Sequence, residues 1–254
     1  MTLAPSDEPA IDFDHVSFGL NGRPILDDVT LSVASGETLV LLGRSGSGKT
    51  TTLKLINGLQ IPTQGNVRVK GQRTTEWDPI RLRRNIGYVI QDGGLFPHFT
   101  VERNIGLVPR IEGWDEVRVQ ARVRELLALV GLDASLVARY PSELSGGQRQ
   151  RVGVARALAA DPPILILDEA FGALDPITRS QMQKEFRSLQ QRMRKAVVFV
   201  THDLREALLL GDRIALMEDG RLVVNLTTAE FLRSQQPLVR AYVEAFSEPP
   251  RESA

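Results

Sequence analysis

Cysteine is absent from this sequence, and histidine occurs only three times in 254 residues. A chain without cysteine forms no disulfide and has no thiolate metal ligand or cysteine nucleophile, and three scattered histidines argue against a structural zinc site. The 31 basic and 31 acidic side chains cancel. Because tight nucleic-acid binding requires the neutralisation of many phosphates, we expect no nucleic-acid partner.

Long apolar runs are also missing. The longest, such as residues 39–42 and 196–200, contain four or five residues, whereas a membrane-spanning helix needs roughly 18 or more. The opening MTLAPSDEPA has no basic segment followed by an apolar one, so it does not have the pattern of a signal peptide. We therefore expect a loose tail at residues 1–10 and a soluble, cytoplasmic protein.

The sequence does contain a regular alternation of strand and helix patterns. Apolar runs typical of buried strands occupy residues 37–42, 86–90, 164–168 and 196–200. Apolar residues at helical spacing occupy residues 51–58, 116–130, 148–160 and 178–195. A hairpin is predicted over residues 212–224, followed by the capping box of a further helix at Thr227 and Glu230.

This alternation predicts an α/β fold with a mostly parallel central sheet, an N-terminal antiparallel β subdomain and an inserted helical subdomain. We expect one domain over residues 11–245, followed by a tail at 246–254. Its parts are a core at residues 11–91 and 161–225, a helical insertion at 92–160 and a C-terminal helical segment at 227–245.

A glycine-rich loop follows the predicted strand at residues 37–42. Its sequence, GRSGSGKT at residues 43–50, fits GxxxxGK[ST] and opens a helix, the context in which this motif binds phosphate. The glycines let backbone N–H groups point inward at phosphate oxygens, and the helix N-terminus adds partial positive charge. Lys49 supplies a charge for the β and γ phosphates and Thr50 a hydroxyl for Mg²⁺. The sequence therefore predicts a P-loop NTPase.

Two acidic residues, Asp168 and Glu169, follow the apolar run at residues 164–167. Beside a phosphate loop, an Asp at the carboxyl end of a buried strand is expected to bind Mg²⁺. Glu169 is then expected to act as a general base on the water that attacks the γ phosphate. Taken alone, the two acids could equally mark a solvent-exposed strand end.

A second glycine motif, Leu144-Ser145-Gly146-Gly147-Gln148, precedes the predicted helix at residues 148–160. A glycine pair before a helix is suited to anion binding, although Ser145 could equally be an ordinary N-cap. The order of all the motifs resembles that of the ATPase subunits of ATP-binding cassette (ABC) transporters, over about residues 11–235. The motifs that carry the resemblance are GRSGSGKT at 43–50, Gln91, LSGGQ at 144–148, ILILDE at 164–169, Ala173-Leu174-Asp175 and His202.

The resemblance implies further roles for four residues. Phe18 would stack on adenine, although a core strand position is the alternative. Gln91 would reach Mg²⁺ and the attacking water, and Asp175 would contact a facing subunit, cap a helix, or do both. His202 would contact the γ phosphate, although a lone histidine is more often structural.

Together, the loop analysis and the resemblance assign ATP and Mg²⁺ as cofactors. Catalysis is assigned to Glu169, His202 and Gln91, and Mg²⁺ binding to Thr50, Gln91 and Asp168. ATP binding is assigned to Phe18, Gly43, Arg44, Ser45, Gly46, Ser47, Gly48, Lys49, Thr50, Thr51, Ser145, Gly146, Gly147, Gln148 and Asp175.

The resemblance also implies partners. Two copies of the chain would pack head to tail, so that residues 145–148 complete the site of the other copy. Integral-membrane permease subunits would hold this pair at the inner face of the membrane, with a substrate-binding protein involved indirectly. Leu95, Phe96 and Phe99 would form a docking patch for the permease, with local packing as the alternative.

The residues around this patch are most similar to those of ABC ATPases that serve importers of osmoprotectants such as glycine betaine, carnitine or choline. Those subunits often carry a regulatory pair of domains after the cassette, which we do not expect here because the sequence ends at residue 254. The alternatives are the ATPase of another ABC importer, for an amino acid or other small solute, and a soluble ABC ATPase of translation or DNA repair. A nucleotide kinase or GTPase is disfavoured by LSGGQ, and a binding module without hydrolysis by Glu169 and His202.

Overall fold

A computed structural model describes residues 8–90, 94–172 and 174–247 of the chain. These residues divide into two compact units. The first unit contains the described residues up to Thr74 and from Val198 onward, and the second runs from Thr75 to Val197. The boundary between Val197 and Val198 falls inside one strand.

The described residues form ten β-strands and ten α-helices. The strands are β1 (Ile11–Leu20), β2 (Arg23–Val33), β3 (Thr38–Leu42), β4 (Gln64–Val69), β5 (Gln72–Arg73), β6 (Ile86–Val89), β7 (Ile164–Asp168), β8 (Ala196–Thr201), β9 (Arg213–Glu218) and β10 (Arg221–Thr227). The helices are α1 (Lys49–Ile56), α2 (Pro79–Arg84), α3 (Val101–Ile105), α4 (Leu107–Ile111), α5 (Glu116–Leu129), α6 (Gly146–Leu158), α7 (Pro176–Met193), α8 (Leu204–Leu210), α9 (Thr228–Arg233) and α10 (Pro237–Ser247).

The first unit contains an antiparallel sheet in the order β2-β1-β4-β5. It also contains β3, which pairs in parallel with β9, and β9 pairs antiparallel with β10. Every residue of β3 is buried, as expected for a strand whose two faces are both covered. The phosphate loop predicted from the sequence leaves the carboxyl end of this strand.

In the second unit, β6 and β7 pair in parallel, with Tyr88 opposite Ile166. Both are short apolar strands, and β7 is buried from Ile164 to Leu167. The helices α3 to α6 occupy the stretch between these two strands, within the predicted helical insertion. Gly87 lets β6 approach α6, because a Cβ at this residue would lie 2.3 Å from the carbonyl oxygen of Ala157.

The main differences from the sequence prediction concern short or polar segments. The pattern of residues 29–33 predicts a strand there, but strand β2 begins earlier, at Arg23. Pro24 is tolerated within β2 because β2 is the edge strand of its sheet. Helices α2, α3, α4 and α8 have five to seven residues, too few to show a clear helical period. Among the described residues, no helix has the length and apolar character needed to cross a membrane.

A bulge in β1 gives a test of packing in the first unit. His15 has φ of +50° at the bulge, and a Cβ on Gly65 would lie 2.1 Å from the His15 carbonyl oxygen. Gly22 has φ of +75°, nearly the same as the +74° of Gly65, but no atom lies within 4 Å of where its Cβ would be. We expect Gly22→Ala to cost about 1–2 kcal/mol of unfolding free energy through backbone strain. Gly65→Ala should cost roughly 1–3 kcal/mol more because of the clash.

Urea unfolding of both variants measures this difference. Equal unfolding midpoints for Gly22→Ala and Gly65→Ala would contradict the packing described for β1 and β4.

Candidate functional site

The phosphate loop lies in the first unit between β3 and α1. A Cβ on Gly43 would lie 2.4 Å from the carbonyl oxygen of Met217 on β9. Gly48 has φ of +101°, and a Cβ there would lie 2.5 Å from Leu26 on β2. Gly43 therefore packs against β9 and Gly48 against β2, and only glycine fits at these two positions. Gly46, with φ of +83°, has no atom within 4 Å of where a Cβ would be, so it faces open space.

Lys49 is the buried cation of this loop, with only 5% of its surface exposed. Its Nζ donates hydrogen bonds to the carbonyl oxygens of Gly43 at 2.8 Å and Arg44 at 2.6 Å, and contacts Ser47 Oγ at 3.4 Å. A buried ammonium group is costly unless such partners surround it. The contacts fold the side chain back over the loop, which places the charge where a phosphate group would need it.

The other residues predicted for phosphate binding differ in exposure. Arg44, Ser45, Gly46 and Thr50 are exposed, Thr51 is partly exposed, and Gly43, Ser47 and Gly48 are buried. His202 is exposed in the turn between β8 and α8.

Phe18, on β1, is 7% exposed. This burial is what the core interpretation predicts, and stacking on adenine stays a prediction. Phe18 also lines a surface cavity of about 470 Å³, together with Arg23, Pro24 and Gln64.

The second unit holds the two predicted carboxylates, Asp168 for Mg²⁺ and Glu169 for catalysis. Asp168 ends β7 and is partly buried, and Glu169 follows it with φ of +46°. A non-glycine residue in the left-handed region is strained by roughly 1–3 kcal/mol, and such strain is concentrated at functional sites. The geometry of Glu169 is therefore consistent with the catalytic role, which stays a prediction.

Tyr88 on β6 is a site residue that the sequence analysis missed. Its hydroxyl group forms a hydrogen bond with Asp168, and its pKa is raised to about 12, first by burial and then by the charge and hydrogen bond of Asp168. No sequence pattern singles out Tyr88, because the contact depends on the parallel pairing of β6 and β7, which brings Tyr88 near the carboxyl end of β7. The contact fixes the orientation of the predicted Mg²⁺ ligand.

The second glycine motif forms the N-terminus of α6. Ser145 Oγ accepts a hydrogen bond from the Gln148 N–H at 3.2 Å, and the Gln148 side chain accepts one from the Ser145 N–H at 2.9 Å. This is a capping box, so the N-cap interpretation of Ser145 is confirmed. Anion binding by residues 145–148 stays a prediction.

Asp175 caps α7 in the same unit. Its carboxylate accepts hydrogen bonds from the N–H groups of Ile177 and Thr178, both at 3.1 Å, and the hydrogen bonds from Thr178 hold its pKa below the usual range. A Cβ on Gly147 would lie 2.8 Å from Cγ2 of Thr178. The first turns of α6 and α7 are therefore packed side by side. Gln91, the remaining predicted site residue, lies outside the described residues.

The residues present fit nucleotide and Mg²⁺. The loop combines a buried ammonium group with glycines that no other residue could replace, the arrangement required for close approach of a phosphate chain. Among the described residues, no cluster of three or more acidic or histidine side chains could hold a metal by itself. Mg²⁺ that is bound to nucleotide phosphates needs only one or two protein ligands and keeps several waters. A hydroxyl group such as that of Thr50, or a carboxylate such as that of Asp168, is a suitable ligand.

Comparison with known proteins agrees with this geometry. The family model described as ABC transporter matches residues 26–172. The chain belongs to the ABC transporter family. The α/β P-loop fold predicted from the sequence is confirmed by similarity to a solved structure, the dimeric bacterial ABC transporter cassette MJ0796. That structure has a TM-score of 0.77 and 33% identity, and the match covers 86% of this chain and 98% of that one.

Among curated ABC relatives, the chain is 53% identical to the osmoprotectant import ATP-binding protein OsmV of Salmonella typhimurium. This match covers 83% of the chain and 56% of OsmV. It is 49% identical to the glycine betaine/carnitine/choline transport ATP-binding protein OpuCA of Bacillus subtilis, over 89% of the chain and 58% of OpuCA. The chain thus spans a little over half the length of these two relatives.

The contacts of Lys49 lead to a test of the phosphate loop. Charge-assisted hydrogen bonds contribute about 1.5–3 kcal/mol each, so Lys49→Met should weaken binding of a fluorescent ATP analogue by about 100-fold or more. Lys54→Met, which removes the same charge from the same helix, is the matched control and should bind normally. Nucleotide affinity within threefold of the unmodified chain for Lys49→Met would contradict the assignment.

Proposed function

We propose that this chain binds and hydrolyses ATP to power an ABC importer, and that the solutes are quaternary-amine osmoprotectants. The observation that carries the first half is the phosphate loop, in which Lys49 is buried and bound by backbone carbonyls. The second half is supported by the similarity to OsmV and OpuCA, which are named for osmoprotectant and betaine transport. Mg²⁺ and ATP are the cofactors in this proposal.

In the proposed mechanism, Lys49 and the N–H groups of residues 43–50 hold the phosphates. Thr50, Asp168 and Gln91 would hold Mg²⁺, which would neutralise phosphate charge when bound. Glu169 accepts the proton of the attacking water, and His202 stabilises the charge that develops on the γ phosphate. In-line attack of this kind depends mainly on positioning and charge.

We further propose that two copies of the chain close on each other when ATP binds. Ser145 to Gln148 and Asp175 lie on the adjoining first turns of α6 and α7, which form a single surface in the second unit. Ile177 on this surface is 83% exposed. An exposed apolar side chain beside two capped helix ends is suited to burial against a second copy. The similar cassette MJ0796 is described as dimeric.

A variant that binds ATP without hydrolysing it tests the closure of two copies. Glu169→Gln keeps the shape of the side chain and removes the general base, so we expect a stable dimer with ATP and a monomer without it. In this background, Ile177→Glu should abolish the dimer. Val117→Glu, which alters an equally prominent apolar residue that is 78% exposed on α5, should leave it intact.

Light scattering after size-exclusion chromatography measures these masses. A Glu169→Gln chain that remains monomeric with saturating ATP would contradict the closure. So would an Ile177→Glu variant that dimerises as well as Val117→Glu.

A cavity of about 370 Å³ in the second unit supports the proposed membrane partner. Its apolar walls include Ile90 and Phe96, which are 37% and 41% exposed. Arg83, Arg84 and Arg156 line the same cavity, so three guanidinium groups lie along its wall. Arg84 also forms an ion pair with Glu112 at 2.8 Å. We propose that a short amphipathic segment of the permease, with an apolar face and an acidic side chain, occupies this cavity at the inner face of the membrane.

Two interpretations were open for the predicted patch of Leu95, Phe96 and Phe99, namely docking of the permease and local packing, and its residues differ in which of these they fit. Asn104, which is fully buried, accepts a hydrogen bond from the Phe96 N–H and donates to the carbonyl oxygens of Phe96 and Phe99. The Phe99 ring packs against that of Phe96, with centroids 5.3 Å apart, and lies under Arg103. Phe99 therefore supports the loop locally, and Phe96 is the side chain that lines the cavity.

Replacement of Phe96 tests the docking proposal. Phe96→Glu places a negative charge where we expect an acidic partner side chain, so co-purification with the permease subunits from detergent-solubilised membranes should be lost. Ile111→Glu changes a residue that is 56% exposed in the same unit and does not line the cavity. Retention of the permease by Phe96→Glu, or equal loss with Ile111→Glu, would contradict the proposed site.

The solute is tested with the reconstituted complex of this chain, its permease and the substrate-binding protein that acts through the permease. We expect ATP hydrolysis in proteoliposomes to rise on addition of glycine betaine, carnitine or choline. Stimulation by amino acids alone would assign the chain to another class of ABC importer. Stimulation by ribosomes or DNA without a permease would overturn the transport proposal.

A further inference from the structure

A buried carboxylate lies next to the turn that carries His202. Glu206, on α8, is only 5% exposed, and Thr201, at the end of β8, is 1% exposed. The Thr201 hydroxyl donates a hydrogen bond of 2.5 Å to Glu206 Oε2. Both residues and the turn between them belong to the first unit.

The same hydroxyl group also accepts a hydrogen bond. The backbone N–H of Asp203 donates to Thr201 Oγ1 at 3.0 Å, and the Asp203 carboxylate caps α8 by accepting from the Arg205 N–H at 2.7 Å. His202 therefore lies between Thr201 and Asp203, which are joined by a hydrogen bond to the Thr201 hydroxyl. Rotation of the backbone at His202 would break the bond from Asp203, the bond to Glu206, or both.

Helix α8, which follows the turn that carries His202, is held in place by packing. Leu204 and Ala207 are buried, and a Cβ on Gly211, directly after the helix, would lie 2.8 Å from Val40 on β3. Asp212 follows and exchanges hydrogen bonds with the backbone of Thr38 at 2.8 and 2.9 Å. Because β3 also leads into the phosphate loop, Glu206 is held at a set position relative to that loop.

Stability alone does not account for a buried carboxylate at this place. Desolvation of a carboxylate is expensive, and a well-packed apolar pair of similar volume is often as stable or more stable. A fully hydrogen-bonded pair such as Thr201 and Glu206 instead restricts the conformation of the turn. Threonine has few allowed χ1 rotamers, and its hydroxyl must both accept from Asp203 and donate to Glu206.

We propose that Thr201 and Glu206 are positioning residues that fix the turn of His202, and that the catalytic contribution of His202 depends on them. This inference rests on the proposed function. Neither residue contacts the nucleotide in this account. Their removal should lower kcat and leave the KM for ATP nearly unchanged, because only the orientation of a group used in the transition state is lost.

The test compares three variants of the full chain. Thr201→Val is isosteric but lacks the hydroxyl, Thr201→Ser restores it, and Glu206→Gln keeps an acceptor for it. We expect Thr201→Val to lower kcat at least tenfold with KM changed less than twofold, and Thr201→Ser to recover most of the loss. Thr38→Val is the matched control, because Thr38 is 1% exposed in the same unit and its hydroxyl has no hydrogen-bond partner among the residues that the structure describes.

A second readout does not depend on hydrolysis. The chain has three histidines, so selective ¹⁵N-histidine labelling gives an NMR spectrum in which His202 is assigned with His202→Ala. In Thr201→Val, the His202 imidazole signals should shift or broaden while those of His15 and His98 stay in place. Thr201→Ser should restore them, and Thr38→Val should have no effect. If Thr201→Val does not fold, Glu206→Leu, which removes the acceptor, carries the same comparison, with Glu206→Gln, which retains an acceptor, as its control.

The outcomes separate this inference from the proposed function. Unchanged His202 signals in a folded Thr201→Val chain would overturn the positioning role. Altered signals with an unchanged kcat would overturn its importance for catalysis, provided that His202→Ala itself lowers kcat. Full activity of His202→Ala would overturn the catalytic role proposed for His202, and the NMR comparison would still decide whether Thr201 and Glu206 fix the turn.

Discussion

The ammonium group of Lys49 and the carbonyl groups around it are the interaction on which the site depends. Burial of a positive charge is tolerated only because the loop presents carbonyl oxygens to it, and the loop adopts that curve only because glycine occupies Gly43 and Gly48. The strands β2 and β9 leave no room for a side chain at either position. The backbone freedom of glycine, the packing of the strands and the charge of Lys49 thus together produce a loop suited to binding phosphate.

The other predicted site residues are also held by hydrogen bonds from neighbouring groups. Asp168 is oriented by the Tyr88 hydroxyl, Asp175 by the N–H groups of α7, and Ser145 by the capping box with Gln148. In each case a polar group at the end of a strand or the start of a helix satisfies unpaired backbone or side-chain atoms. Structural and functional interpretations of these residues are therefore compatible, as Ser145 shows, since a capping residue still leaves neighbouring N–H groups available.

Much of the fold and of the candidate site could be predicted from sequence because the relevant signals are local. The buried strands β3, β7 and β8 are continuous apolar runs, and the glycine loop at 43–50 has the fixed spacing typical of phosphate binding. Such local patterns do not predict which residues distant in sequence contact each other. Tyr88 reaches Asp168 only because β6 and β7 pair in parallel, and the short helix α8 gave no periodic signal that would have drawn attention to Glu206.

The central claim is that each hydrolytic site needs residues from two copies of the chain. The most direct measurement is the ATPase rate per subunit as a function of subunit concentration, at saturating Mg²⁺ and ATP. The account predicts a specific activity that rises in proportion to concentration when the chain is dilute and levels off once dimers are saturated. A specific activity that stays constant down to the lowest concentration, with the chain shown to be monomeric there, would contradict it.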